Sequence, residues 1–482
     1  MGDKTMRGAM RAIALSACAV TLLAATACAG DDDQAGGGDG ATTATTVPAS
    51  AITPDEVAGL TEAWRVDGQL GVTGKPTVAG GTVYFGNWAG AATAVDLETG
   101  AVKWQKLVAT DASVTLDAAA LVSDDRVYLP DADGKLYALD RDTGEKDWTA
   151  TLDAHPDARI FSTPVLAPGG IIVIGVASSE LRRDLADFTF RGSIVGIDEN
   201  TGEELWRRPV SEGADGAGSS VWSSAAIDED RGLAYIGTGQ AYEQPAGPLS
   251  DSLLALHYDT GELEWHRQFT AGDVWTYFSP PPKGPDADVG ATPTLFTAGD
   301  QDLVGVGDKA GTFDVFDRDT GATVWAKELT QGSPLGGVMV TAAYAEPSPG
   351  GDGPGGEDGA IFVASNEMDP TQLATSNSTS HHSSVFALDA ATGDVIWQQR
   401  EVGATFGSIT YADGVVYRPS VPGVLQALDA ETGAELWSAE PGGDMGAGVR
   451  VVDGWVLVPH GFWFFGGQSD LPAGVVAYKL PD

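Results

Sequence analysis

One nine-residue unit recurs along this chain and narrows what it can fold into more than any other feature: Asp-x-x-Thr-Gly-x-x-x-Trp, each time preceded by a short run of strand-forming residues. Its copies begin at Asp96, Asp140, Asp198, His257, Asp317, Asp389 and Asp429, with His257 the one departure from aspartate. They end at Trp104, Trp148, Trp206, Trp265, Trp325, Trp397 and Trp437. The chemistry of the unit is that of a tight hairpin. The aspartate can accept hydrogen bonds from backbone N–H groups of the turn, glycine takes a positive φ that other residues resist, and tryptophan opens the returning strand. Segments before the turns, such as Lys135-Leu136-Tyr137-Ala138-Leu139 and Val83-Tyr84-Phe85, lack helical periodicity and are rich in strand formers.

An eighth unit is split between the two ends. Gly474 to Lys479 has the character of the strand before the turn, and Leu60-Thr61-Glu62-Ala63-Trp64 supplies the missing tryptophan strand. Pairing them closes a ring and removes its exposed edge. The expected fold is all-β: an eight-bladed β-propeller over residues 59–482, closed by its N- and C-terminal strands. The eight repeat tryptophans are read as structural, because large aromatics dominate core packing. Two insertions, Glu346 to Gly359 and Thr371 to Ser384, lengthen the sixth blade and are expected as surface loops. His381 and His382 in the second are expected to be solvated on a mobile loop rather than liganded to metal.

Before the repeats lie a basic start (Lys4, Arg7, Arg11), an apolar run from Ala12 to Ala25, and Ala25-Thr26-Ala27-Cys28, which resembles a bacterial lipobox. The expectation is a lipoprotein signal peptide over 1–27, lipid attachment at Cys28, and a flexible acidic, Gly- and Thr-rich tether over 28–58. An ordinary cleaved signal peptide is the alternative. The chain is then exported and held on the extracytoplasmic side of a membrane, which it meets only through the anchor. The other cysteine, Cys18, lies inside the signal, so the mature chain has no internal disulfide and no CxxCH haem site. Redox chemistry would need a bound organic cofactor. With 27 basic against 68 acidic residues and a net charge of -41, a nucleic-acid footprint is excluded.

The repeat resembles that of the pyrroloquinoline quinone (PQQ) dehydrogenases, in which each tryptophan docks between neighbouring blades. The resemblance covers essentially the whole mature domain, although non-catalytic propellers carry the same repeat. Further segments are most similar to the polyvinyl alcohol dehydrogenase branch of the PQQ-dependent alcohol dehydrogenases. Ser219-Ser220-Val221-Trp222-Ser223-Ser224, followed by Gly237-Thr238-Gly239-Gln240, looks like the segment whose tryptophan forms the floor under the quinone. Trp222 lies outside the repeat register, and stacking on a planar cofactor suits it. Glu180, in Ser179-Glu180-Leu181, stands where the family binds Ca²⁺. Gln240 replaces a second, asparagine ligand with an amide on a longer stem. Lys309, in Asp308-Lys309-Ala310-Gly311, stands where a cation hydrogen-bonds the quinone oxygens.

Asp273-Val274-Trp275-Thr276 is similar to a family segment that ends in the general base, and Thr276 occupies that base's position. A threonine hydroxyl cannot take up a proton as a carboxylate does. Asp273 and Asp288, the latter in Asp286-Ala287-Asp288, are the candidate substitutes, with Asp286 beside them. The disulfide that covers the quinone in many relatives is absent, and Leu116-Asp117-Ala118 occupies roughly that loop. Each assignment has a plainer counterpart: core packing for Trp222, a solvated loop carboxylate for Glu180, a surface lysine for Lys309.

Two functions follow from the resemblance. One is PQQ- and Ca²⁺-dependent oxidation of a small-molecule or polymeric alcohol, a secondary one by preference, with electrons leaving to a separate acceptor. The other is a non-catalytic binding or assembly scaffold with a protein partner, similar at repeat level to the propeller lipoprotein of the outer-membrane β-barrel assembly machine. Hydrolysis has no support, since neither a nucleophile elbow nor an HExxH motif occurs.

Overall fold

The structure is a computed structural model that describes residues 52–481 apart from 111, 113, 349, 352, 369–380, 422 and 462–471. The expected signal peptide, Cys28 and most of the tether lie outside the described residues, as does 371–380 of the second insertion. Helix is confined, among the described residues, to two short 3-10 turns, Val57–Gly59 and Glu180–Arg182. The remainder folds into eight antiparallel sheets.

Seven sheets are chain-continuous meanders, which we number as blades 1 to 7: 77–107, 121–151, 158–209, 226–268, 294–328, 343–402 and 410–439. Blade 8 takes Arg450–Val452, Trp455–His460 and Gly474–Lys479 from the C-terminal end and Thr61–Val66 from the other. Thr61 pairs with Lys479 and Val66 with Val475, so the two ends of the chain close the ring as one sheet. First strands of successive blades lie side by side around the axis, for example Ala226–Asp228 beside Thr294–Ala298 and Thr294–Ala298 beside Ala343–Ala345. The repeat turns therefore all sit at one end of the ring. The loops between second and third strands, and those between blades, sit at the other.

Each repeat tryptophan joins its own blade to the one after it. The Trp325 indole N–H donates to the carbonyl of Ala390 in blade 6 at 3.0 Å, and its ring lies over Gly393 of the same blade. A Cβ at Gly393 would stand 2.5 Å from that ring, and the residue's φ is +72°. Glycine is thus required twice over, by the turn and by the neighbour's tryptophan. Trp104, Trp206, Trp265 and Trp397 reach the next blade in the same way, through the carbonyls of Arg141, Tyr258, Arg318 and Ala430. Trp64, from the split unit, docks on blade 1 through Leu97 O at 2.7 Å. Trp437 meets blade 8, where the ends of the chain leave no such turn, and packs edge-on to Tyr478 at 5.2 Å instead. The aspartates cap their turns as expected: Asp317 Oδ1 accepts from Thr320 N at 2.9 Å and from Thr320 Oγ1 at 2.7 Å. At His257 the side chain turns to Glu264, yet the backbone bond from Gly261 N to His257 O survives at 2.8 Å.

One expectation about the second insertion is corrected. His382 begins the strand His382–Asp389, paired with Glu367 on one side and Val402 on the other, and His381 is buried. Sheet pairing extends further up blade 6 than the polar sequence indicates, because backbone hydrogen bonding is indifferent to Ser and His side chains.

Trp325→Ala is expected to cost about 3–5 kcal/mol, as truncation of a buried large aromatic does. Trp437→Ala, with its half-buried ring and no glycine seat, should cost clearly less in the same denaturant titration. A second outcome concerns pH. Burial pushes the carboxyls of Asp308 and Asp444 up to about 6 and that of Asp314 up to about 7. Such groups favour folding while protonated, and that advantage is lost as pH rises from about 4 through those values. His266 and His460, held below the usual range by burial, oppose this below pH about 6.5, but they are fewer. Calorimetry should therefore give a higher Tm at pH about 5.5 than at pH about 7.5, and the reverse order would contradict the assignment.

Candidate functional site

A small cavity opens on the end of the ring away from the repeat turns. Three strands deliver residues to it as they end: Ser178 as the last residue of Ile171–Ser178, Gln240 beyond Leu233–Gly237, and Lys309 beyond Gln301–Gly307. The loops entering blades 4, 5 and 6 supply the opposing wall, with Trp222, then Trp275, Tyr277, Asp286 and Asp288, then Met339.

Lys309 is the electrostatic centre. Its ammonium donates to Asp288 Oδ2 at 2.5 Å and to Asp286 Oδ1 at 3.1 Å, and it lies 5.5 Å from the centroid of the Trp222 ring. Its backbone N–H also donates to Asp288 O at 3.0 Å, which ties the blade 5 turn to the loop that enters the blade. Asp308 steadies that turn by accepting from Thr312 N at 3.0 Å. Asp288 Oδ1 accepts from Gln240 N at 2.7 Å, so both oxygens of Asp288 are engaged. Asp286 has only one oxygen in a hydrogen bond and sits at φ +60°, a strained setting for a residue with a side chain. Trp222 is half-buried, with the far edge of its indole against Gly290, where a Cβ would come within 1.5 Å of the ring. No residue but glycine fits there.

Two more carboxyls lie close by. Asp273 Oδ2 accepts from Ala287 N at 2.8 Å, holding the loop between Asp286 and Asp288, while its Oδ1 is buried without a partner. Asp251, at φ +46°, has both oxygens buried and unpartnered. Four carboxyls thus surround one ammonium, and unpaired buried charge is expensive. Protonation relieves it: burial raises the Asp273 carboxyl to about 6, pushes Asp251 well above the carboxylate range and raises Asp286 as well. Burial alone would lower Lys309, but Asp286 and Asp288 outweigh it and keep the ammonium charged.

Of the residues singled out in the sequence, Trp222, Gln240, Asp286, Asp288 and Lys309 line this one cavity, and Glu180, Asp273 and Thr276 do not. The Glu180 carboxylate is spent on a neighbouring loop, accepting from Thr189 N at 3.1 Å and Phe190 N at 2.9 Å. The Gln240 amide nitrogen donates to Trp275 O at 3.3 Å. Among the described residues no group of three or more His, Cys, Asp or Glu side chains is arranged to hold a metal ion. The Thr276 hydroxyl accepts from Ser279 N at 2.9 Å and bonds Ser279 Oγ at 2.9 Å, capping its own turn.

Sequence reasoning passed over Asp251, which carries no motif, and Tyr242, whose buried hydroxyl bonds Ser220 Oγ at 2.6 Å and Ser178 Oγ at 3.3 Å. It also passed over the pair Trp275 and Tyr277, which lie edge-on at 4.9 Å at the entrance to the turn capped by Thr276.

Residues 37–332 match the family described as glucose/ethanol/alcohol dehydrogenase, beta-propeller domain, and residues 309–467 match one described as outer membrane protein assembly factor BamB. The polyvinylalcohol dehydrogenase of Sphingopyxis sp. (strain 113P3) is 26% identical, covering 81% of this chain and 66% of its own length. The polyvinylalcohol dehydrogenase of a Pseudomonas sp is also 26% identical, covering 89% of this chain and 72% of its own length. This chain therefore spans 66% to 72% of those relatives. Among solved structures, the quinohemoprotein alcohol dehydrogenase ADHIIG of Pseudomonas putida HK5 superposes with a TM-score of 0.71 at 20% identity, over 89% of this chain and 77% of that one. That likeness concerns the fold. Because the dehydrogenase match extends over more than half its length, the chain belongs to the glucose/ethanol/alcohol dehydrogenase β-propeller family.

Proposed function

We propose that the cavity binds pyrroloquinoline quinone and that the protein oxidises an alcohol, by preference a secondary one. The observation that carries this is the Lys309 ammonium held over the face of Trp222 beside Asp286 and Asp288. An indole face suits a flat ring system, and a cation suits its anionic oxygens. The groups therefore fit. The space between them, about 40 Å³, admits such a molecule only when the side chains draw apart.

When bound, the quinone would supply the hydride-accepting centre that no side chain of this chain provides. The chain's own task is the proton. Asp286, with one oxygen unengaged in the cavity and a carboxyl raised by burial, is suited to accept the proton of the alcohol hydroxyl. Lys309 offsets the negative charge gathered at Asp286 and Asp288. Asp273, through Ala287 N, holds the loop in place, and is a positioning residue. Calcium is part of the proposal because an excess of acid over base is favourable to a cation. No step is routed through it, since Glu180 and Gln240 make other contacts. Electrons would pass to a separate acceptor. Export and lipid attachment at Cys28 place the reaction on the extracytoplasmic side.

A scaffold role is the second reading, favoured by the assembly-factor match over 309–467 and by the small cavity. It predicts that Trp222→Ala leaves function intact.

Titrating the full chain with PQQ and Ca²⁺, followed by tryptophan fluorescence and by dye-linked oxidation of alcohols, separates the two. Trp222→Ala should weaken PQQ binding by about tenfold or more, the worth of a stacked aromatic face. Absence of binding by the unaltered chain at micromolar PQQ would sink the dehydrogenase proposal. Asp286→Asn should keep PQQ binding and lose about 10²–10⁴ in kcat, as removal of a general base does. In cells fed labelled fatty acid, Cys28→Ser should lose the label and leave the membrane fraction; retained label would refute anchoring at that position.

A further inference from the structure

At the end of the ring that carries the repeat turns, the axis opens into a funnel of about 900 Å³ that shares no lining residue with the cavity around Lys309. Its walls are the first strands of blades 3 to 8, from Leu166 round to Val451. The turns that follow those strands form the rim, with Glu229 and Asp230 from blade 4 and Glu346 and Glu357 from the insertion in blade 6. All four carboxylates are exposed, and among the described residues none of them pairs with a basic side chain. Arg318, the only basic side chain among the described lining residues, is held by Asp228 at 3.0 Å and Asp302 at 3.1 Å. The rim thus carries negative charge that the protein does not itself neutralise.

Hydroxyls deeper in the funnel set the same polarity. Thr294 Oγ1 donates to Ala342 O and Thr410 Oγ1 to Val449 O, each at 2.9 Å, bonds that tie one blade to the next. Hydroxyls whose hydrogens are engaged in this way present only lone pairs, so they accept from a ligand and do not donate to one. Thr292 Oγ1 accepts from Ser224 N at 3.3 Å. Thr341 holds the corresponding place ahead of the first strand of blade 6, is only 8% exposed, and its hydroxyl oxygen has no hydrogen-bond partner. A buried hydroxyl left unpaired costs free energy, and a ligand that pairs with it removes that cost. Between these hydroxyls and the rim the surface is aromatic and aliphatic. Tyr344 and Tyr411 are braced by Phe296 at 5.3 Å and Phe362 at 5.4 Å, with Ile227 and Leu295 on neighbouring strands.

We propose that the funnel binds an aliphatic polyamine along the ring axis, one end at Thr341 and the other at the acidic rim. Carboxylates meet ammonium groups at the mouth, tyrosine faces attract cations, and oxygens that only accept receive N–H donors at the floor. The methylene spacers of such a molecule suit the aliphatic wall. A metal ion fits less well, because it needs several oxygens converging on one point and these carboxylates stand on turns of two blades. Among the described residues no group of three or more His, Cys, Asp or Glu is arranged to hold one. Thr341 and Glu346 are separated by about 16 Å of extended backbone, so a long tetraamine reaches both and a short diamine does not. The site stands apart from alcohol oxidation, since the two lie at opposite ends of the ring.

The test is calorimetric titration of the full chain with spermine. A net charge of -41 draws any polycation to the surface, so the titration is run in about 150 mM salt, which screens exposed charge. One spermine should bind per chain, about tenfold or more tighter than putrescine. Thr341→Val removes an unpartnered hydroxyl, so it should leave the Tm of the free chain equal or higher while weakening spermine by about tenfold. Glu346→Gln combined with Glu357→Gln should weaken spermine several-fold. Glu203→Gln with Glu262→Gln, which removes equal charge from repeat turns outside the funnel, should not. Several spermine molecules per chain, binding that vanishes at this salt, or equal loss in the two double variants would reduce the effect to surface charge and overturn the proposal. Unchanged affinity in Thr341→Val overturns it as well. One Mg²⁺ bound per chain in competition with spermine would reassign the funnel to a metal, and tighter binding of a lysine-rich peptide that displaces spermine would reassign it to a protein partner.

Discussion

The ring depends on one interaction repeated around it: a tryptophan of one blade laid on the turn glycine of the next, with the indole N–H of six of the eight donating to a carbonyl of that blade. Most of these contacts combine a large apolar burial with a hydrogen bond, which Trp148 alone lacks among those seated on a turn glycine, and the packing cannot be kept if the glycine gains a side chain. A four-stranded blade alone has two exposed faces and cannot bury enough surface to stand. Docking converts eight marginal sheets into one core made of inter-blade clusters, such as Tyr235, Leu253 and Trp265 of blade 4 against Val304, Val306 and Phe316 of blade 5. Where the interaction is broken by the chain ends, at Trp437, the protein compensates with an aromatic edge contact from the closing strand.

That rigidity is what allows charge to be buried at the other end of the ring. Lys309 and its carboxylates come from the end of one second strand and from a loop fastened by Asp273 and by Gln240 N. The site carries more acid than base, and the excess is accommodated by proton retention rather than by further ion pairs. A cavity of this kind is chemically poised, since a carboxyl held near neutrality in a low-dielectric setting can exchange a proton in the working pH range.

Much of the fold was legible because its determinants are local. A hairpin turn needs its glycine and its capping aspartate within nine residues, and the period between copies counts the blades. The site was legible only in part. Gln240 and Lys309 follow closely on the ends of second strands, and Trp222 and Asp288 come from the loops between blades, which cross the same end of the ring, so the four converge. Glu180 and Thr276 lie in loops whose conformation is set by what the loop itself must satisfy: the N–H groups of Thr189 and Phe190 claim the first, and the turn to Ser279 claims the second. A motif places such a residue in the neighbourhood without aiming its side chain.

The sequence by itself determined the architecture, the number of blades and the closure by both chain ends, because strand period, turn chemistry and tryptophan spacing act over short distances. Only the tertiary structure decided which carboxylates share a chamber with Lys309, and that Asp251 and Asp273 keep buried, unpartnered oxygens close to it. Those properties belong to residues from different blades, and their burial and mutual distances exist only once the ring has closed.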